Sequence, residues 1–230
     1  MAKAPALSSE QARLAALQNI PLFEGLTDAQ LQMFARVAVR RSFPRNKTIV
    51  YGGDSSDDQS LFIIIRGSVK VLSRDNEGRE VILSFIGEGE CIGEMALIDG
   101  EPRSADVVAT ELGFDNCELL EISREDFTHT LMENPELCLS IMRSLVLRLR
   151  RATWKIESLA LMDTYGRVAK LLLELSEEVD GERQVRRKLT KQDMAKVVGA
   201  SREMVTRVMK DLETSGHIRQ DDGHIIICKQ

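Results

Sequence analysis

From Gly93 to Ala105 the chain reads Gly-Glu-Met-Ala-Leu-Ile-Asp-Gly-Glu-Pro-Arg-Ser-Ala. The residue types at its two ends suit a phosphate ester of a sugar. A glycine lets backbone amides approach the phosphate, Arg103 supplies a fixed cation, the Ser104 hydroxyl adds a donor, and Glu94 can accept from a ribose hydroxyl. By composition alone, a glycine-rich turn with one arginine is more often only a turn.

A second group lies near the C-terminus, where Arg202, Glu203, Val205, Thr206 and Arg207 occupy two turns of one expected helix. Val205, Val208, Met209 and Leu212 form its apolar stripe, which leaves Arg202, Glu203, Thr206, Arg207 and Lys210 on the exposed side. Inserted by its N-terminus into a major groove, such a helix can put an arginine on guanine O6 and N7 and a glutamate on cytosine N4. Exposed charges on an isolated helix are usually only solvated; the elements around this one decide its reading.

Other chemistry finds little support. Cys91, Cys117, Cys138 and Cys228 show no CxxC spacing, which argues against a zinc cluster or a secreted disulfide framework. His129, His217 and His224 are far apart, so neither a metal site nor a catalytic residue is expected. There is no Walker-type loop and no nucleophile with a placed base, and residues 164–230 leave too little chain for a further catalytic domain. No run approaches a membrane span, and Met1 to Asn19 lacks the apolar core of a signal peptide, so a soluble, cytoplasmic protein that is not an enzyme is expected.

The elements that must position these groups follow from periodicity. Helices are expected from Ser8 or Ser9 to about Asn19, and from a Thr27 cap to about Val39. From Thr48 the pattern turns to short β-rich runs at Thr48–Tyr51, Ser60–Arg66, Ser68–Ser73, Glu80–Ile86, Ala105–Ala109 and Cys117–Ile122. Glycine turns separate them, without crossover helices, which predicts an antiparallel sandwich or roll. Ser123 caps a helix over Arg124–Glu133, and Asn134-Pro135 opens a longer one.

In that helix Cys138, Met142, Leu145, Leu149, Ala152, Ile156 and Leu159 are spaced 4, 3, 4, 3, 4 and 3. This is a heptad seam of the kind that faces an identical helix. Leu147, Trp154 and Leu161 widen it toward the stripe of a helix packed on its own domain. A hinge is expected at Met162-Asp163-Thr164, then a helix over Tyr165–Glu178 and a solvated connector over Val179–Lys188. Thr190 caps Lys191–Val198, Gly199 breaks it, Ser201 caps Arg202–Thr214, and Gly216 ends that helix. Two short helices around Gly199-Ala200-Ser201, followed by strands His217–Gln220 and His224–Cys228 about Asp222-Gly223, predict a winged helix-turn-helix.

Charge agrees weakly: residues 164–230 carry 13 Lys+Arg against 11 Asp+Glu, hence +2, which leaves −7 of the total −5 for residues 1–163. The predicted domains are 1–134, 135–163 and 164–230.

Leu189-Thr190-Lys191-Gln192-Asp193-Met194-Ala195, with Val197 to Arg207, resembles the DNA-binding signature of the cyclic-AMP receptor protein and fumarate-nitrate regulator superfamily of bacterial transcription factors. Gly93 to Ala105 is similar to the phosphate-binding cassette of cyclic-nucleotide domains, and the resemblance spans residues 20–230. It implies an α+β chain with an N-terminal cyclic-nucleotide-binding β-roll of the antiparallel jelly-roll type, a long dimerisation helix and a C-terminal winged helix-turn-helix.

For the effector, the resemblance implies Glu94 on the ribose 2′-hydroxyl and Arg103 and Ser104 on the phosphate. Gly93 and Met95 lie in the same cassette, Leu83 and Ile86 line the pocket, Arg148 faces the cassette, and Thr153 reaches the base from the other subunit. Where cyclic-AMP-responsive members place a threonine against adenine, this chain has Ala152. Cyclic AMP is the first expected effector and cyclic di-GMP the next; a ligand-independent regulator of the same fold and a regulatory module of an enzyme are the alternatives.

For DNA, the resemblance implies base reading by Arg202, Glu203 and Arg207, phosphate contacts by Thr190, Gln192, Ser201 and Lys210, and a TGTGA-like half-site. Double-stranded DNA, a second copy of the chain and RNA polymerase are the implied partners, with no membrane and no resident cofactor or metal.

Overall fold

The computed structural model describes residues 9–18, 20–24, 26–56, 59–110, 116–179, 181–185, 189–221 and 224–228. The chain divides into two compact units, Met1–Ser73 with Ser84–Arg148, and Arg74–Leu83 with Leu149–Gln230.

The first unit opens with helices α1 (Ser9–Gln18) and α2 (Asp28–Val37), joined through a 3-10 turn at Pro21–Phe23. Thr27 caps α2 in a reciprocal box with Gln30, which satisfies two backbone donors at the helix start. Eight strands follow: β1 (Val39–Pro44), β2 (Thr48–Val50), β3 (Ser60–Arg66), β4 (Ser68–Arg74), β5 (Glu80–Ile86), β6 (Cys91–Ile92), then, after helix α3 (Glu94–Asp99), β7 (Asp106–Thr110) and β8 (Asn116–Ser123). They form two sheets, β1-β8-β3-β6 and β2-β7-β4-β5.

Burial explains why β3 shows no polar alternation. Phe62 and Ile64 pack with Val50, Val69, Val107 and Ala109 between the sheets, whereas Leu61 and Ile63 pack on the other side against Leu17, Phe34 and Phe127. A strand covered on both faces is apolar throughout. Strand β1 was not expected, because Arg40 and Arg41 give it no apolar period. It forms through antiparallel pairing with β8, and those arginines meet Glu118 and Glu121. The two-residue β6 and the six-residue α3 are too short to give a period.

Helix α4 (Arg124–Glu133) begins at the Ser123 cap, and α5 (Pro135–Leu161) follows it. Leu137 and Ile141 at its start are buried, but seam positions further along stand open, Met142 at 51%, Leu149 at 67% and Ile156 at 68% exposure. The chain breaks at Met162-Asp163, where Asp163 caps α6 (Thr164–Glu174) by accepting from Gly166 N at 2.8 Å.

Two readings need correction here. The helix expected to reach Glu178 stops at Glu174, and the expected connector is partly a hairpin of β9 (Ser176–Val179) and β10 (Glu182–Val185). The last fully buried residue of α6 is Leu172, and Gly181, at φ 81°, lets the chain turn back so that Ser176 pairs with Val185. Helices α7 (Lys191–Val198) and α8 (Arg202–Thr214) and strands β11 (Ile218–Asp221) and β12 (His224–Ile227) complete the unit, with sheet order β11-β12-β10-β9. The expected Asp222-Gly223 turn lies outside the described residues. Val168, Leu172, Met194, Val205, Met209 and Leu212 form the core.

Candidate functional site

Gly93 follows the short β6 and serves as N-cap of α3 with φ 87°, a conformation that costs glycine little and other residues much. A Cβ there would run into Arg103 Nη1 and lie 2.8 Å from Ser60 O. Arg103, 7% exposed, donates to Gly93 O at 2.8 Å and to Ser60 O at 2.7 Å. Its own backbone is clamped by Asp54 O, which accepts from Arg103 N at 2.9 Å, and by Gly53 N, which donates to Arg103 O at 2.7 Å. Burial lowers the affinity of Arg103 for its proton, with Asp54 opposing, yet a guanidinium keeps its charge under such conditions.

Glu94, the first residue of α3, is 2% exposed and receives Arg148 Nη1 of α5 at 2.5 Å; the same arginine donates to Cys91 O. A buried carboxylate is tolerated only when so paired. Gly93, Glu94 and Arg103, with Arg148 from 54 positions beyond Glu94, therefore form one connected cluster. Met95 and Ser104 sit at its exposed rim, with Ser104 Oγ 3.9 Å from Met95 Sδ. Ile86, predicted as a pocket liner, is 6% exposed and packs between the sheets. Leu83, 44% exposed, and Thr153, whose Oγ1 donates to Leu149 O at 3.0 Å, belong to the second unit.

Arg124 and Gln59 support the cluster and were missed by sequence reasoning. Arg124 Nη2 donates to Gln59 Oε1 at 2.6 Å and to Ala96 O of α3 at 3.1 Å, while Gln59 Nε2 donates to Asp54 O at 3.2 Å. One signal could have found Arg124: a cation in the first turn of a helix opposes the helix dipole and calls for another reason to be there.

In the second unit the buried stripe of α8 is Val205, Val208, Met209 and Leu212, as expected. Thr190, Gln192, Ser201, Arg202, Glu203, Arg207 and Lys210 are all exposed. Thr190 accepts from Asp193 N at 3.0 Å and Ser201 from Met204 N at 3.1 Å, so these hydroxyls fix the two helix starts. Gly199 turns the chain between the helices at φ 66°. The backbone N–H of Glu203 itself and the Ser201 hydroxyl hold the Glu203 carboxyl below the usual carboxylate range, so Glu203 is an acceptor at neutral pH. The arrangement offers arginine and carboxylate heads together on one helix N-terminus, the chemistry of base-edge recognition.

Among the described residues no group of three or more His, Cys, Asp or Glu is placed to hold a metal ion, and no helix is long and apolar enough to cross a membrane.

Known proteins carry the same two parts. Residues 40–134 match the cyclic nucleotide-binding domain family, and residues 166–230 match the Crp-like helix-turn-helix domain family. The chain is 36% identical over 180 residues to the cAMP-activated global transcriptional regulator Vfr of Pseudomonas aeruginosa, covering 77% of this chain and 83% of that one. It is 33% identical over 205 residues to the cAMP-activated global transcriptional regulator CRP of Salmonella typhimurium, covering 87% and 95%. The solved structure of the c-di-GMP-responsive global regulator CLP of Xanthomonas campestris superposes with a TM-score of 0.74 at 27% identity, covering 89% and 100%. With a cyclic-nucleotide fold, a Crp-like reading head and relatives that are regulators rather than enzymes, the chain belongs to the CRP/FNR family of transcription regulators.

Proposed function

We propose that this chain acts in the cytoplasm as a homodimeric regulator that reads a palindromic, TGTGA-like site in double-stranded DNA under control of a cyclic nucleotide, with RNA polymerase as its onward partner. The observation that carries the reading is the pair of Glu94 and Arg148, which joins the cassette carboxylate to the helix that bears the open heptad seam. A ligand that takes Glu94 and Arg103 alters the environment of Arg148. It can change DNA binding only by favouring the DNA-competent dimer over the other state. In that dimer the seams pair, and the two α8 helices stand about one DNA turn, roughly 34 Å, apart.

Cyclic AMP is the first effector, on the likeness to two cAMP-activated regulators. Cyclic di-GMP is the second reading, favoured by Ala152 at the adenine-facing position and by the likeness to a c-di-GMP-responsive regulator.

Titration calorimetry with cyclic AMP, cyclic GMP and cyclic di-GMP, on wild type and Arg103→Ala, tests the proposal together with anisotropy on the duplex that wild type selects from a random pool. Saturable binding lost in the variant, with a matching change in DNA affinity, is expected. DNA affinity indifferent to all three nucleotides would move the assignment to a ligand-independent regulator.

A further inference from the structure

The tip of the β4–β5 hairpin, Arg74–Leu83, forms one compact unit with Leu149–Gln230. Glu80 at the start of β5 receives Lys196 Nζ of α7 at 2.5 Å and Arg74 Nε at 2.8 Å. The Glu80 and Lys196 side chains are 22% and 23% exposed, so solvent and salt screen the pair less than a surface contact. Two residues on, Lys155 of α5 reaches the same strand and donates to Ile82 O at 2.6 Å and Leu83 O at 3.2 Å. The Lys196 side chain foremost, then Arg74, lowers the Glu80 carboxyl, and burial lowers Lys155, as expected for groups engaged in these contacts.

The hairpin tip and the helix-turn-helix face each other across a cleft of about 740 Å³, bordered by Arg79 and Glu80 on one side and Gln192, Lys196 and Arg202 on the other. Glu203, Thr206, Arg207 and Lys210 do not line this cleft and are exposed. The hairpin thus meets the turn side of the reading head, where Arg202 begins α8, and leaves Glu203, Arg207 and Lys210 clear of it.

We infer that the Glu80–Lys196 ion pair, braced by the hold of Lys155 on β5, is a latch by which the hairpin positions α7 and α8 for DNA. Lys196 is then a positioning residue and not a phosphate contact, because its charge is spent on Glu80. A latched head enters the groove with less freedom to lose. An unlatched one populates the competent orientation for only part of the time, and its apparent affinity falls by that fraction.

The test uses full-length protein and the duplex selected by wild type, with binding followed by anisotropy over a salt series. Glu80→Gln and Lys196→Gln are each expected to weaken binding by roughly threefold to tenfold, the range of a partly buried charge pair. Their log–log salt slopes should be unchanged, and hydrogen exchange of Arg74–Leu83 should rise. The charge-reversed double variant, Glu80→Lys with Lys196→Glu, should recover affinity to within about twofold of wild type, which also shows that the head still folds. Unchanged or tighter binding by Glu80→Gln overturns the latch. A Lys196→Gln slope lower by about one phosphate contact also overturns it, since Lys196 would then be touching DNA. A reversed pair no better than the single variants overturns it as well.

Discussion

Gly93 and Arg103 are fitted to each other: the left-handed glycine presents its carbonyl to Arg103 Nη1, and the space a Cβ would need there is already filled by that guanidinium and by Ser60 O. The cassette closes on its arginine only because residue 93 has no side chain.

Gly93→Ala therefore pays for a strained φ and displaces Arg103. A stability loss of about 1–3 kcal/mol and at least a tenfold loss of nucleotide affinity are expected, read by thermal unfolding and calorimetry. An alanine variant that binds as wild type would sink this account of the cassette.

Arg148→Ala leaves a carboxylate that is 2% exposed without its cation. Because the Arg148 side chain itself is 25% exposed, the cost lies at the low end for a broken buried pair, about 3 kcal/mol. Glu94→Gln removes the charge and keeps an acceptor, so its cost is smaller. Differential scanning calorimetry of both variants decides; equal melting temperatures would contradict the assignment.

Leu149 and Ile156 are 67% and 68% exposed on the seam. In the proposed dimer, Leu149→Asp puts two carboxylates at the two-fold seam and removes two leucines from it, so self-association is expected to weaken by about a hundredfold or more. Sedimentation velocity should show monomer at concentrations where wild type is dimer, with DNA affinity falling in parallel. A dimeric Leu149→Asp would place the contact elsewhere.

Arg207 and Lys210 are both exposed on α8, but different roles are expected of them. Arg207→Ala should cost about 1–3 kcal/mol on the specific duplex and flatten discrimination among base substitutions. Lys210→Ala should weaken specific and random duplexes alike and reduce the salt slope by about 1. Equal losses by Arg207→Ala on specific and random DNA would remove it from base reading.

Burial pushes the Cys91 thiol up to about 12, with Glu94 adding to the effect, and burial likewise pushes Cys117 to about 11. The folded chain thus holds both protons at a pH where the unfolded chain releases them. Stability is independent of these thiols below pH ~8.5 and declines as pH rises toward their folded values, by up to about 1.4 kcal/mol per pH unit for each. Urea unfolding between pH 8 and 10 should show a shallower decline in Cys91→Ala than in wild type. Identical slopes would mean that the thiol is not protected.

The sequence by itself determined the parts whose signal is local. The two helices about Gly199, the stripe Val205, Val208, Met209 and Leu212, and strands such as Ser60–Arg66 rest on caps, periods and turn residues within a few positions of each other. The cassette residues were legible as a motif. Only the tertiary structure decided which distant groups complete them. Arg148 neutralises Glu94 across 54 positions, Ser60 O takes the second hydrogen bond of Arg103 across 43, and Lys196 meets Glu80 across 116. Strand β1 forms because β8 offers it backbone partners and two glutamates, and β9 forms because Gly181 returns the chain to pair with it. Backbone pairing and charge neutralisation act between neighbours in space, and no period along the chain encodes who those neighbours are.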